Sequence, residues 1–133
     1  FAEMTQAAGI DLTPVQYAAL KTIIQNPGID QATLAGAIAY DRATIGGVVD
    51  RLERKALVLR IPKAQDRRAR ALTATDAGRQ LSERAEPVVA EIQSAMLDGL
   101  DVGERSQLIA LLDKATQTGN QRSRAPFIDI QSL

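Results

Sequence analysis

Apolar residues in the first part of the chain recur every three or four positions, which predicts helices that bury one face. The first such helix begins after Thr13, whose side chain forms a capping box with Gln16. It ends where the breaker sequence at 26–28 interrupts the pattern. Its inward stripe is Val15, Ala18, Ala19, Thr22 and Ile23. We expect residues 1–12 to be the end of a helix that began earlier in the chain.

Two short helices follow, and each is preceded by an aspartate suited to cap it. Asp30 caps a helix over 31–39, and Asp41 caps a second helix from Arg42 to about Lys55. Two short helices joined by a tight turn have the geometry of a helix-turn-helix, whose second helix can lie in the DNA major groove. The inward side of the second helix is Ile45, Val48, Val49 and Leu52. Its outward side is Arg42, Thr44, Gly46, Gly47 and Arg51.

The spacing changes from helical to alternating after Ala56, which predicts a strand. One side of that strand is Leu57, Leu59 and Ile61, and the other is Val58 and Arg60. We expect Pro62 to stop the strand, because proline cannot donate a ladder hydrogen bond. A polar turn at 63–67 leads to a return strand over 68–73. The sequence therefore predicts a small hairpin with a basic tip.

Two longer helices are predicted after the hairpin. Thr75 or Asp76 caps the first, which reaches roughly residue 100 and bends at Pro87. Its expected buried line is Leu81, Ala85, Val88, Val89, Ile92 and Met96. A capping pattern at 101–104 begins the second. Its expected apolar face is Leu108, Ile109, Leu111, Leu112 and Ala115. These faces carry more apolar surface than a thin lobe can cover, which predicts a homodimer.

Positive charge is concentrated around the hairpin. Residues 41–80 hold ten Arg and Lys and five Asp and Glu, a net charge of +5. The whole chain of 133 residues has 16 residues of each sign and sums to zero. A focused positive region of this kind favours a polyanionic partner, and binding that weakens steeply with added salt.

The composition excludes several function classes. The chain has neither cysteine nor histidine, which removes disulfides, thiol nucleophiles, imidazole bases and most zinc sites. No paired acid and base, nucleophile set or phosphate loop is visible, so we expect no enzyme, no cofactor and no metal. No apolar run approaches the ~18 residues that span a membrane, and no signal pattern is present. We therefore expect a cytoplasmic protein without a membrane partner.

Four segments, in this order, resemble the MarR (multiple antibiotic resistance regulator) family of bacterial transcription factors. LTPVQYAALKTI at 12–23 is similar to the family's opening Leu-Thr-x-x-Gln helix, and QATLAGAI at 31–38 to its Leu-Ala helix. VVDRLERKALVLR at 48–60 resembles the stretch that joins the family's recognition helix to its strand. DRRARALTATDAG at 66–78 resembles its wing, with Asp-x-Arg, and the Leu-Thr-x-x-Gly entry to the next helix.

The resemblance implies a mainly α-helical fold with a small β-hairpin wing, a winged helix-turn-helix with long dimerisation helices. It assigns 13–74 to the DNA-binding lobe and 1–12 to the end of an N-terminal dimerisation helix. The range 75–133 then holds the C-terminal dimerisation helices and a tail. The tail keeps apolar side chains at 127, 128, 130 and 133, and we expect it to dock on a partner such as a second subunit.

The chain departs from the family pattern in two places. Ala56 stands where the family usually has Gly. Gly46 and Gly47 stand where a Thr or Ser followed by Arg is frequent. Two glycines inside a helix are unfavourable by about 1 kcal/mol each relative to Ala. They either allow close approach to DNA or reflect tight packing within the protein, and the sequence leaves both interpretations open.

The resemblance implies three kinds of DNA contact. Arg42 and Thr44 would reach base edges in the major groove, and Thr33 would contact phosphate. Arg68 would enter the minor groove, and the resemblance implies that Asp66 holds it there. Sequence-independent attraction would come from Lys63, Arg67 and Arg70.

The expected function is a dimeric, sequence-specific repressor that binds a pseudo-palindromic double-stranded DNA operator. Family members often leave DNA when a small phenolic or carboxylate molecule lodges between the dimer helices and the lobe. Arg51 and Arg60, whose motif positions lie beside that crevice, would pair with the ligand carboxylate, although Arg60 also fits a plain strand-edge charge. The lack of Cys and His argues against the thiol-switched and zinc-sensing branches of the family. An alternative from another class is a winged-helix protein-interaction module without sequence-specific DNA binding.

Overall fold

The computed structural model describes residues 1–63 and 66–120 together with Ile130, and the side chains of 66–69 and 118–120 lie outside the described part. The helices are α1 Ala2–Ala7, α2 Pro14–Gln25, α3 Gln31–Ala37, α4 Arg42–Arg54, α5 Asp76–Met96 and α6 Val102–Asn120. The strands are β1 Ile29–Asp30, β2 Val58–Lys63 and β3 Asp66–Ala74. The mainly helical fold with a small β wing is confirmed.

The predicted helix caps are present. Gln16 N lies 3.2 Å from Thr13 Oγ1 and Thr13 N lies 3.2 Å from Gln16 Oε1, which completes the capping box of α2. Asp30 Oδ1 accepts from Thr33 N at 2.7 Å at the start of α3. Thr75, rather than its neighbour Asp76, caps α5, since its Oγ1 accepts from Gly78 N at 3.0 Å. Each cap satisfies a backbone N–H that a helix end leaves unpaired.

The sheet has three antiparallel strands in the order β1-β3-β2, so the predicted hairpin gains a short strand that sequence patterning missed. Ile29 pairs with Leu72 across that additional contact. The expectation that Pro62 stops β2 was wrong, because the strand continues to Lys63 and Pro62 pairs with Arg70. Proline is tolerated there because β2 is an edge strand, and the register shifts directly after it.

The core lies within the lobe formed by α2, α3, α4 and the sheet. Its largest fully buried side chains are Leu20, Ile23, Leu34, Ile45, Leu52, Leu72, Val49 and Val58. The inward stripe predicted for α4 is confirmed, since all four of its members are buried. On β2 the alternation places Val58 in the core and leaves Leu59 half exposed.

One tight junction joins the wing to α5. A Cβ built on Gly78 would lie 2.2 Å from the Leu57 carbonyl oxygen, so only glycine fits there. Thr75 Oγ1 donates to the Ala56 carbonyl oxygen at 2.7 Å across the same junction. Ala56 has a φ of 58°, in the left-handed region that favours glycine.

The ends of the long helices differ from expectation. The first long helix stops at Met96 instead of near residue 100, and Met96 is 78% exposed, so its predicted burial was wrong within one chain. On α6, Ile109, Leu111 and Leu112 are all more than half exposed. Within the single chain, these apolar side chains of α5 and α6 are therefore left uncovered. Apart from Ile130, which packs against the core, the predicted docking tail lies outside the described residues.

No helix within residues 1–63 and 66–120 is both long enough and apolar enough to cross a bilayer.

Candidate nucleic-acid interface

The N-terminal end of α4 presents polar and basic groups to solvent. Asp41 Oδ1 accepts from Thr44 N at 2.9 Å, and Thr44 Oγ1 donates to Asp41 Oδ2 at 2.6 Å. These bonds, the one from the Thr44 hydroxyl first, hold the pKa of the Asp41 carboxyl below its ordinary value. Arg42 and Thr44 are exposed beside the cap, as the sequence predicted. The cap thus fixes the end of the helix. It also occupies the Thr44 hydroxyl as a donor, so that this oxygen can only accept a further hydrogen bond.

The outward surface of α4 can be read from helix geometry, in which successive residues are turned by about 100°. Opposite the buried stripe, the line runs through Ala43, Gly47, Asp50 and Arg54. Of these, only Gly47 was predicted from the sequence to face outward, and the exposed Asp50 and Arg54 were missed. Arg51 is exposed on the flank and lies with Arg54 in the last turn, where cations favour the helix dipole.

The two glycines of α4 have different surroundings. A Cβ on Gly46 would lie 3.3 Å from Gln31 Nε2, so Gly46 makes room for a side chain of α3. Beyond the adjacent residues and backbone of α4 itself, a Cβ on Gly47 would have no described atom within 4 Å, so Gly47 leaves open space on the outward surface. Packing against Gln31 therefore explains why position 46 is glycine. Packing does not explain why position 47 is glycine.

The start of α3 is tied to the wing through its cap. Lys63 Nζ lies 3.6 Å from Asp30 Oδ2, and Thr33 is half-buried with its N–H bonded to the same carboxylate. Partial burial raises the pKa of the Asp30 carboxyl, but the hydrogen bonds from Thr33 and the charge of Lys63 outweigh it and lower the pKa overall. Lys63, predicted as a DNA cation, thus also has a partner inside the protein.

Arg60 joins three elements of the lobe. Its Nη1 lies 2.6 Å from Asp50 Oδ1 and 3.3 Å from Glu53 Oε1 on α4. Its Nη2 lies 3.2 Å from Gln31 Oε1 on α3. The side chain is 21% exposed. Asp50 and Glu53 are spaced three apart on one helix face, which is the sequence signal that could have suggested a shared cation partner.

The wing tip is described only in part. The backbone of 66–69 belongs to β3, whereas the side chains of Asp66, Arg67 and Arg68 lie outside the described residues. Arg70 is exposed on the same strand and has an interaction partner. The predicted contact between Asp66 and Arg68 therefore stays a prediction.

A concave surface lies between α2 and α5. It is a groove of about 730 Å³. It is lined by Phe1, Pro14, Tyr17, Ala18, Lys21, Thr22, Gln25, Glu86, Val89, Ala90, Ile92, Gln93 and Met96. Lys21 Nζ lies 3.3 Å from Glu86 Oε1 and 3.5 Å from the Tyr17 hydroxyl. The hydrogen bond to Glu86 and then that to Tyr17 raise the pKa of Lys21, so the ammonium form is favoured.

The predicted ligand residues do not meet at this groove. Neither Arg51 nor Arg60 is among the described residues that line it, and Arg60 already has carboxylate partners. Neither Lys21 nor Tyr17 was predicted from the sequence to line a ligand groove, and the structure leaves Tyr17 only 8% exposed. Their spacing of four residues puts them on one helix face, a signal that was available in the sequence.

Comparison with known proteins gives a consistent family match. The sequence model of the MarR family matches residues 12–69. The transcriptional repressor NicR of Pseudomonas putida is 34% identical over 109 residues, covering 82% of this chain and 69% of that protein. The chain spans between 62% and 80% of the length of the first curated relatives it matches.

Two solved structures bear on the site. CouR, a transcriptional repressor bound to a 23-mer DNA duplex, superposes with a TM-score of 0.77 at 29% identity, covering 86% of this chain and 82% of that one. BpsR of Bordetella bronchiseptica, whose DNA binding is regulated by 6-hydroxynicotinic acid, has a TM-score of 0.74 at 30% identity. That match covers 79% of this chain and 80% of BpsR.

Proposed function

This chain belongs to the MarR family, and on that premise we propose that it is a dimeric, sequence-specific DNA-binding repressor. The observation that carries the proposal is the exposed, capped end of α4, with Arg42 and Thr44 beside it, on a fold that CouR uses to bind duplex DNA. We name α4 the recognition helix. Such a regulator acts on the chromosome, so we place it in the bacterial cytoplasm.

We propose that 13–74 is the DNA-binding lobe and that its contacts divide by groove. Arg42 and Thr44 reach base edges in the major groove, where a bidentate Arg on guanine gives about 1–3 kcal/mol of discrimination. Arg68 enters the minor groove, held by Asp66. Phosphate contacts come from Thr33, Lys63, Arg67 and Arg70.

Gly47 has a different role from the side chains around it. The structure leaves open space over this residue on the outward surface of the recognition helix. We propose that the DNA approaches the helix backbone closely there. Gly46 takes part indirectly, because it seats the Gln31 side chain.

The test begins with selection of bound duplexes from a random pool. We expect one pseudo-palindromic sequence, bound far more tightly than bulk competitor, with affinity that falls steeply as salt rises. Arg68→Ala should lower affinity for this operator by more than tenfold while the unfolding midpoint stays unchanged. If the wild-type protein prefers no sequence, the winged-helix interaction module becomes the better explanation.

We further propose that a small aromatic acid releases the DNA by binding in the groove between α2 and α5. The Lys21 ammonium can exchange its exposed contact with Glu86 for a ligand carboxylate, and the neighbouring Tyr17 hydroxyl offers a partner for a phenol. The regulation of BpsR by 6-hydroxynicotinic acid supports this ligand class. Under this proposal Arg51 and Arg60 do not contact the ligand, because neither is among the described residues that line the groove.

The ligand proposal is tested by titrating salicylate and 6-hydroxynicotinate into the protein–operator complex. We expect the operator affinity to fall and the unfolding temperature of the free protein to rise. Lys21→Met should keep DNA binding and lose the response to either acid. The same response in Lys21→Met as in wild type would contradict the assignment of this groove.

A further inference from the structure

The Gln31 side chain lies between three elements of the DNA-binding lobe, and its two ends have different neighbours. Its Oε1 is 3.2 Å from Arg60 Nη2 on β2. Its Nε2 is 3.3 Å from the point where a Cβ on Gly46 of α4 would lie. Gln31 itself is the first residue of α3. The amide is thus placed where α3, the wing and the recognition helix meet.

The arginine fixes which way the amide faces. A guanidinium only donates hydrogen bonds, so the amide oxygen must face Arg60 and the amide nitrogen must point away from it. Arg60 is held in turn by Asp50 at 2.6 Å and Glu53 at 3.3 Å. Flipping the amide would place two donors against each other. The orientation of the Gln31 NH₂ group is therefore set before any partner arrives.

The donors of this NH₂ group remain available. Among the residues that the structure describes, no hydrogen bond donated by Gln31 Nε2 is present, and the side chain is only partly buried. Glycine at 46 leaves room for Gln31 Nε2, because a Cβ at that position would lie only 3.3 Å from this nitrogen. The lack of a side chain at 46 thus exposes a polar group that belongs to a different helix.

We propose that Gln31 is a DNA-contacting residue whose oriented amide donates to an acceptor on the duplex. The inference rests on the proposed function, since the recognition helix and the start of the preceding helix both face DNA in a helix-turn-helix. Glutamine amides donate to phosphate oxygens and to purine N7 atoms in such complexes. This contact would supply a donor from α3 beside a recognition helix that carries glycine at both 46 and 47.

The first experiment compares two substitutions of Gln31 on the selected operator. Gln31→Met keeps the length of the side chain and removes both donors, and we expect about a fivefold loss of affinity. Gln31→Glu keeps an oxygen for Arg60 and places a carboxylate at the DNA, so we expect a loss of about tenfold or more. The unfolding midpoint of Gln31→Glu should not fall, because its carboxylate pairs with the guanidinium.

The matched control is Gln80→Glu, which makes the same charge change at an exposed position of α5. Its operator affinity should stay within about twofold of wild type, since exposed charges separated by more than about 10 Å are largely screened at 0.1 M salt. Operator affinity of Gln31→Met within twofold of wild type would overturn the proposal. In that case the wild-type protein would still select its operator, so the proposed function would stand.

A second experiment locates the acceptor on the DNA. Methylphosphonate replaces single phosphates, and 7-deazapurines replace single bases, in otherwise identical operators. A modification that weakens wild type but not Gln31→Met identifies the partner as a phosphate or as a base edge, and either result supports the contact. If every modification weakens both proteins equally, Gln31 makes no DNA contact.

Discussion

Arg60 Nη1 lies 2.6 Å from Asp50 Oδ1, so an ion pair joins the wing strand β2 to the recognition helix α4. Asp50 lies on the side of that helix which we propose to face DNA, and Glu53 is 3.3 Å from the same nitrogen. Two carboxylates beside a polyanion would repel it. Arg60 therefore attaches the wing to the helix and also offsets part of the negative charge of the two acids.

We predict a measurable coupling between Arg60 and Asp50. In a double-mutant cycle with Arg60→Met and Asp50→Asn, urea unfolding should give a coupling free energy of about 0.5–1 kcal/mol. The value is modest because the Asp50 side chain is 53% exposed. The Arg60→Met variant should also bind operator more weakly than wild type, because the net charge of the cluster near the DNA changes from −1 to −2.

The Lys21–Glu86 pair is the matched control for this cycle. It is longer, at 3.3 Å, and its side chains are 39% and 65% exposed. We expect its coupling free energy to be smaller, about 0–0.5 kcal/mol. A coupling for Arg60 and Asp50 no larger than that of the control would show that the wing is not held by this pair.

Ala56→Gly should stabilise the protein. Ala56 has a φ of 58°, a conformation unfavourable by about 1–2 kcal/mol for residues with a Cβ. Glycine removes that strain but adds freedom to the unfolded chain, which leaves a net gain of about 0.5–1 kcal/mol in the free energy of unfolding. Ala90→Gly, in the right-handed helix α5, should instead lose about 1 kcal/mol. Equal effects at the two positions would contradict the backbone argument.

Gly47→Ala should change stability and DNA binding in opposite directions. Beyond the adjacent residues and backbone of α4 itself, no described atom lies within 4 Å of the added methyl group, so the helix gains about 1 kcal/mol in stability. The same methyl group stands on the proposed DNA surface, so operator affinity should fall severalfold. Thermal unfolding and fluorescence anisotropy measure the two effects. Unchanged affinity would show that DNA does not approach the helix backbone there.

The Asp41 cap should make stability depend on pH in the acid range. The folded pKa of Asp41 lies below its ordinary value of 3.8, so its carboxylate contributes stability above that pH. The contribution is lost as the pH falls through the lowered folded pKa. Asp41→Asn cannot titrate, so its unfolding free energy should fall less than that of wild type between pH 6 and pH 3. An identical acid loss in both proteins would contradict the prediction.

Much of the lobe could be predicted because its signals are local. Caps at Thr13, Asp30 and Asp41 are formed by residues three apart in sequence, and the buried stripe of α4 follows from its period. The strand β1 was missed because two residues, Ile29 and Asp30, are too short to show alternation. Its formation depends on pairing with β3, because its two residues contact Leu72 and Ala71, far along the chain.

The candidate site was harder to predict because it depends on distant contacts. Gln31, Asp50 and Arg60 lie on three separate elements, and no sequence spacing indicates that one guanidinium joins them. Arg60 was therefore predicted to be either a ligand partner or a plain strand-edge charge, whereas the structure also gives it carboxylate partners within the lobe. Gly46 was interpreted together with Gly47, because only the position of Gln31 separates their roles.

The exposed apolar face of α6 predicts how the dimer can be broken. Leu112 is 56% exposed and Ile109 57%, which is unfavourable unless a second copy covers them. Wild type should elute at twice 14.3 kDa. Leu112→Glu should elute as a monomer and lose more than tenfold in operator affinity, because one chain contacts a single half-site. Ala110→Glu places the same charge on the opposite side of α6 and should remain dimeric, so a dimeric Leu112→Glu would show that this face is not the interface.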